Sequence, residues 1–235
     1  MQLFYQPKLE LNTTPFLNEE ESRHCVQVLR LKSGDIIHIT DGEGSLFEAK
    51  LLDVHHKKCL LSIIKETKFE KDPNYSLHLA IAPTKSMERM EWFLEKALEM
   101  GIDEITPIIC ARSERKEIKT ERLYKVAVSA MKQSLKFVLP QINEAISLND
   151  FLAKPKIAQT FICFGAAPTE NNLQAFDTKN NHNIFLIGPE GDFTPKEIIL
   201  ATEKGYKPIN LGSSRLRTET AALHIVSIVN FKKMI

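Results

Sequence analysis

The chain has 235 residues, 43% hydrophobic and 26% charged, with a net charge of +1. That is the composition of a globular protein of one large or two small domains, and its near-zero charge excludes a nonspecific nucleic-acid coat. No stretch reaches the apolar length of a membrane span, so no membrane partner is expected.

The opening, MQLFYQPKLE, has no basic region followed by an apolar core, so no signal peptide is expected. Residues 1–72 read as mostly strands. DIIHIT (35–40) and SLFEAKLLDV (45–54) flank DGEG (41–44), a hairpin signal in which Gly42 accepts a positive φ. CLLSIIK (59–65) is a third strand. One helix interrupts, over 18–30, with Asn18 as its cap and acidic residues in its first turn. Short strands at this spacing predict a small β-barrel. KFEKDPNYS (68–76) is polar, contains Pro73 and reads as a linker.

From residue 77 the rhythm changes. LHLAIA is a continuous apolar run, as buried parallel strands are. A helix over 85–100 follows, ended by Gly101. EITPII (104–109), TFICF (160–164), IFLI (184–187) and PINL (208–211) are further strands. Helices are predicted over 119–136, from the capping box Thr194-Pro195-Lys196-Glu197 to Gly205, and over 218–233. Strand alternating with helix predicts an α/β domain over 73–235 with a mainly parallel sheet. Residues 112–136 carry eight Lys/Arg against three Asp/Glu, a basic stripe on the helix. It is either a solvated face or a contact to a phosphate backbone.

Four cysteines, Cys25, Cys59, Cys110 and Cys163, are widely scattered, with no metal-ligand spacing. Buried free thiols in a reducing compartment, the cytoplasm, are expected, and no metal. His55-His56 lies in a polar turn and reads as solvent-exposed.

Two glycine turns carry the chemistry: IFLIGPEGDFTPKEI (184–198) and NLGSSRLRTETAAL (210–223). Each opens with an apolar run and leads into a helix. In a parallel α/β sheet, ligands sit beyond the carboxyl ends of the strands, where both turns fall. No Lys-Ser/Thr follows Gly191 and no G-x-G-x-x-G is present, which excludes a triphosphate loop and a dinucleotide turn. There is no G-x-S-x-G nucleophile elbow either. Two such turns suit an adenosine-like ligand held by backbone groups. Arg215, Arg217 and Glu219 crowd the second turn's exit. Glu219 suits a helix dipole, but two arginines there oppose it, so they call for an anionic partner or for Glu219 itself.

GPEGDFTPKEI and LGSSRLRTETAAL, with the length between them, resemble the bacterial 16S ribosomal RNA (uracil-N3) methyltransferases. These belong to the knotted SPOUT class of S-adenosylmethionine (SAM) enzymes. The resemblance extends to SRHCVQVLRLKSGD (22–35), KSMERMEWFLEKALEMGIDEITPI (85–108), RSER (112–115) and KQSLKFVLPQI (132–142). It implies a PUA-like RNA-binding β-barrel over 1–72 and, over 73–235, a SPOUT domain with a deep trefoil knot. The activity implied is methyl transfer from SAM to N3 of a uridine in small-subunit ribosomal RNA, by a homodimer. Backbone at Ile187, Gly188, Leu211, Gly212 and Leu216 is implied to hold SAM, with Glu190 and Gly191 shaping the loop. Arg217 and Glu219 are the implied catalytic pair, and Arg23, Arg30, Arg112, Arg115, Lys116 and Lys136 the implied RNA contacts. Asp192 stands where the family usually has a second glycine, and Lys136 where it usually has arginine, which keeps charge but loses a bidentate fork. The family's start often carries arginine near Leu3 or Phe4, and this chain has none there. The competing readings are a knotted enzyme acting on another RNA, and an RNA-binding assembly factor without catalysis.

Overall fold

The computed structural model describes residues 1–9, 14–171 and 181–234. They fall into two compact units: Met1–Lys71 with Val128–Leu139, and Asp72–Ala127 with Pro140–Ile235.

The first unit is a four-stranded sheet with one helix. Its strands are β1 (Leu3–Tyr5), β2 (Ile36–Thr40), β3 (Ser45–Asp53) and β4 (Leu60–Lys68), paired in that order. β1 and β2 are parallel; the other pairs are antiparallel. Alternation along β3 buries Phe47, Ala49 and Leu51 on one face, against Phe4, Ile39 and Leu61. The Asp-Gly turn joins β2 to β3 as expected. Gly42 has φ +77°, and Asp41 accepts from the amides of Glu43 and Ser45 at 2.8 and 3.0 Å. The single helix is shorter than expected: α1 covers Glu19–Arg23 and continues as one π turn over His24–Val28. Asn18 caps it by accepting from the Glu21 amide at 2.9 Å.

Residues 128–139, which the sequence pattern assigns to the second region, group with this unit. They are the end of helix α3 (Thr120–Gln133) and the turn beyond it. Lys132 Nζ donates to the buried Glu21 Oε1 at 2.5 Å, and Phe137 stacks on Phe69 with centroids 4.5 Å apart. The helix ends three residues earlier than expected, well before Pro140, because Leu135 turns left-handed at φ +53°. The Lys136 amide then closes back on the Met131 carbonyl at 3.0 Å. A leucine in that region costs about 1–2 kcal/mol, which the closing bond and the contacts of Lys132 and Phe137 offset.

The second unit is α/β with a parallel sheet, as its alternation predicts. Its strands are β5 (Ser76–Ile81), β6 (Glu104–Ile109), β7 (Gln141–Ile142), β8 (Ile146–Ser147), β9 (Gln159–Cys163), β10 (His182–Ile187) and β11 (Lys207–Ile209). The order is β11-β9-β10-β5-β6-β7, with β8 also on β6, and every pairing is parallel. The helices are α2 (Met87–Met100), the start of α3, α4 (Leu148–Ala153), α5 (Pro195–Glu203) and α6 (Thr218–Met234). The two-residue strands β7 and β8 and the six-residue α4 carry too few residues for a periodic signal, and the sequence pattern does not mark them. Strands β5, β9 and β10 are buried nearly throughout, which explains their unbroken apolar runs. Among the described residues, no helix is long and apolar enough to cross a membrane.

Candidate active site

Because β10, β9 and β11 are parallel neighbours, the loops that follow them leave from one edge of the sheet. β9 lies between the strands that carry the two glycine turns. A third loop, opening with Phe164-Gly165, therefore joins them. Together they enclose a cavity of about 140 Å³.

Of the seven residues expected to hold a cofactor, Ile187, Gly188, Leu211, Gly212 and Leu216 line this cavity. Glu190 and Gly191 are exposed and do not line it. They fasten the first turn from outside: Glu190 Oε1 accepts from the Lys85 amide at 2.9 Å, and the Gly191 carbonyl accepts from Arg112 Nη1 at 2.8 Å. A Cβ on Gly191 would lie 3.4 Å from the Arg112 side chain.

The turns are tied to one another and to the loop after β9 by hydrogen bonds. Thr218, the first residue of α6, donates its hydroxyl to the Gly188 carbonyl at 3.0 Å. Asn210 accepts from the Gly212 amide at 2.8 Å and donates to the Ala167 carbonyl at 2.7 Å, joining the second turn to the loop after β9. Gly212 sits at φ +106° with nothing within 4 Å of where a Cβ would be; a Cβ on Gly188 would lie 3.1 Å from the Phe193 ring. One glycine serves conformation, the other packing.

Asp192 lines the same cavity. Its backbone is left-handed, at φ +59°, which aspartate tolerates better than most residues. Its carboxylate secures that conformation, accepting from the Phe193 amide at 2.7 Å and from Gly165 at 3.0 Å. Asp192 thus brings a negative charge to the cavity wall and a tie to the third loop. Gly165, Asp192, Asn210 and Thr218 were missed as site residues. TFICFG carries the same strand-then-glycine signal as the two recognised turns, whereas the roles of Asn210 and Thr218 depend on partners distant in sequence.

Cys163 also lines the cavity. Burial, with Asp192 adding negative charge beside it, pushes its thiol well above the ordinary range. It stays protonated and is a poor nucleophile. The other three cysteines are buried free thiols as well. His55 and His56 are exposed. Among the described residues no group of three His, Cys, Asp or Glu is arranged to hold a metal ion.

A second cavity, of about 540 Å³, shares Arg215 and Leu216 with the first. Arg217 and Glu219 line it, with Arg89 and Trp92 from α2. Glu219 is only 5% exposed. Its Oε2 has no hydrogen-bond partner among the described residues, so it does not cap the helix. Its ion pair is with Arg89, at 3.8 Å, and not with Arg217. Arg215 and Arg217 are exposed and make no ion pair among the described residues.

The expected RNA contacts divide between the units. Arg23, Arg30 and Lys136 belong to the first; Arg112, Arg115 and Lys116 to the second. Arg23 is exposed and pairs with Glu19 at 2.8 Å; Arg30 is exposed; Lys136 is half-buried. The stripe expected on a helix is partly loop. α3 starts only at Thr120, so Arg112, Arg115 and Lys116 precede it. The cause is local: Ser113 folds the chain back by accepting from the Cys110 amide at 3.0 Å. Arg115 then donates to the carbonyls of Thr84 and Lys85 at 3.3 and 2.8 Å. Lys116 is exposed and shares a recess of about 560 Å³ with Lys196.

Comparisons with known proteins agree with this architecture. A family model described as an RNA methyltransferase domain matches residues 70–230, and one described as an RNA methyltransferase PUA domain matches residues 17–64. The chain is 30% identical to ribosomal RNA small subunit methyltransferase E of Rickettsia conorii, over 97% of this chain and 93% of that one. Among solved structures it is similar to a probable rRNA methyltransferase from Porphyromonas gingivalis, at 38% identity and a TM-score of 0.90, covering 100% of this chain and 99% of that one. It is also similar to a ribosomal RNA small subunit methyltransferase E from Neisseria gonorrhoeae bound to S-adenosyl methionine. That match has 27% identity and a TM-score of 0.86, covering 97% and 96% of the two chains.

Proposed function

This chain belongs to the ribosomal RNA small subunit methyltransferase E family, and we propose that it transfers a methyl group from SAM to N3 of a specific uridine in 16S ribosomal RNA. The observation that carries the reading is the pair of cavities sharing Arg215 and Leu216, one walled by backbone turns and the other holding a buried carboxylate. The residues of the first fit SAM. Ile187, Leu211 and Leu216 offer apolar walls to an adenine, Gly188 and Gly212 admit close backbone contact, and Asp192 offers a counter-charge to the ligand's amino group. When bound, SAM supplies a methyl on a sulfonium, already a good leaving group.

The protein must then orient the base and dispose of one proton. N3 lies on the pairing edge, so the uridine is unpaired or flipped out. In the second cavity Glu219 would accept the N3 proton that the base gives up in exchange for the methyl group. Arg217 stabilises the negative charge that develops on the uracil oxygens. The Cys163 thiol takes no part.

The same reading gives the first unit, as a PUA-like barrel, the task of gripping RNA through Arg23, Arg30 and Lys136. Arg112, Arg115 and Lys116 add to the grip, Lys116 most freely, because Arg112 and Arg115 also brace turns. It gives the C-terminal chain the trefoil knot of the SPOUT class. The Thr218–Gly188 bond fastens the start of α6 to the turn after β10. The protein works in the cytoplasm, where its substrate is made.

The test is methylation of small-subunit particles from a strain lacking the enzyme, followed by nucleoside mass spectrometry. 3-Methyluridine in 16S RNA is expected; a methyl on a ribose, or on another RNA, would overturn the reading. In the same assay Arg30→Glu should weaken RNA binding and flatten its salt dependence without changing SAM affinity.

We also propose a homodimer. The resemblance implies it, and α6 has one buried face and one exposed face. Ala222, Ile225, Val226 and Val229 are buried, whereas Thr220, His224 and Ser227 are exposed. Large apolar groups still face outward: Phe231 of α6 is 60% exposed and Trp92 of α2 46%. Burying the part each leaves exposed would stabilise an interface by roughly 1–2 kcal/mol. Light scattering should give twice 26.8 kDa; an active monomer would contradict it.

A further inference from the structure

We propose that Arg89 is a positioning residue: it aims the Glu219 carboxylate into the second cavity, at the proton that leaves the base. The inference rests on the function proposed above.

Arg89 stands in the first turn of α2, where its positive charge opposes the helix dipole. Nothing in the local helix favours a cation there, so its reason must be tertiary. Across the cavity is Glu219, in the first turn of α6 and 130 positions away in sequence. The carboxylate side chain is 7% exposed, and Oε2 finds no hydrogen-bond donor among the described residues. A buried carboxylate with an unmet oxygen is costly and calls for an explanation. The covered Oε2 turns inward, which leaves Oε1, the oxygen facing Arg89 beside the cavity that both residues line, as the acceptor for a ligand's N–H.

The distance between the pair fits this division. At 3.8 Å, Arg89 Nε is close enough to attract the carboxylate and too far to hydrogen-bond it. The guanidinium therefore orients the group without occupying the lone pairs that must take the proton. A tight bidentate fork would hold Glu219 equally well but would compete with the base for those oxygens. Arg89 itself keeps 43% of its side chain exposed, so removing it leaves no hole in the core.

Four variants test this by single-turnover methylation and SAM titration: Arg89→Ala, Arg89→Lys, Glu219→Gln, and Arg89→Ala with Glu219→Gln. Arg89→Ala should lower turnover at saturating RNA roughly tenfold or more, with SAM affinity, the KM for RNA and its salt dependence within about twofold. Arg89→Lys should recover most of the loss, because a single charge suffices. In the Glu219→Gln background, Arg89→Ala should cost less than about twofold, since no carboxylate remains to aim. A raised KM and altered salt dependence with normal turnover would make Arg89 an RNA contact. An equal loss with and without the Glu219 carboxylate would make its role unrelated to that group. Either result overturns the inference while leaving the proposed function standing. Full activity in Glu219→Gln alone would instead remove the proton-acceptor role on which the inference depends.

Discussion

Replacing Gly212 by valine is expected to abolish SAM binding, with a loss of at least about 100-fold in calorimetric titration. Two effects act together. The backbone at 212 stands at φ +106°, a region that a β-branched residue enters only at a cost of about 1–3 kcal/mol. The turn then either relaxes, losing the Asn210 bond to the Gly212 amide, or stays and carries the strain. In the second case the new side chain projects into space that no protein atom occupies within 4 Å, on the wall of the cavity assigned to the cofactor. Gly34 is the control, with a similar φ of +99° and equally open surroundings, but in the first unit. Valine there should lower stability and leave SAM affinity alone. SAM affinity within a few-fold of the parent in Gly212→Val would mean that the cofactor lies elsewhere.

Arg217→Ala should leave SAM affinity within a few-fold and lower turnover by about 100-fold or more, the effect of losing one positioned electrostatic or proton-transfer group. The cavities explain the separation. Arg217 lines the second and not the first, and it is exposed with no ion pair among the described residues, so its removal disturbs no turn. Glu219→Gln distinguishes two roles. As proton acceptor, Glu219 cannot be replaced by an amide, and turnover should fall with a changed pH profile. As a mere structural partner it could be, and most activity would survive. The geometry favours the first outcome, because Oε2 makes no structural hydrogen bond to preserve and the Arg89 contact is an ion pair beyond hydrogen-bond reach. Single-turnover methylation beside SAM titration reads both variants, and full activity in both would sink the assignment of this junction as the reaction centre.

The sequence by itself determined whatever depends on near neighbours. The Asp41-Gly42 turn, the Asn18 cap and the Thr194–Glu197 capping box with Pro195 all form as their residues dictate, because each is closed by bonds within a few positions. The buried strands and the parallel α/β alternation follow from unbroken apolar runs separated by amphipathic helices. The glycines at 188 and 212 were legible as turns for the same reason, and both line the first cavity. What only the tertiary structure decided is which of these turns meet, and what else meets them. Nothing in the order of the strands along the chain says that β9 inserts between β10 and β11 and adds the Gly165 loop to the site. Nor does it say that residues 128–139 join the first unit, where Lys132 reaches the buried Glu21. Charge pattern alone left Arg215 and Arg217 with either an anionic partner or Glu219, whereas the fold pairs Glu219 with Arg89. The reason is physical: caps and turns are settled by bonds that close within one turn of chain. Strand order and the pairing of buried charges are settled by the packing of whole elements, and that depends on every other element at once.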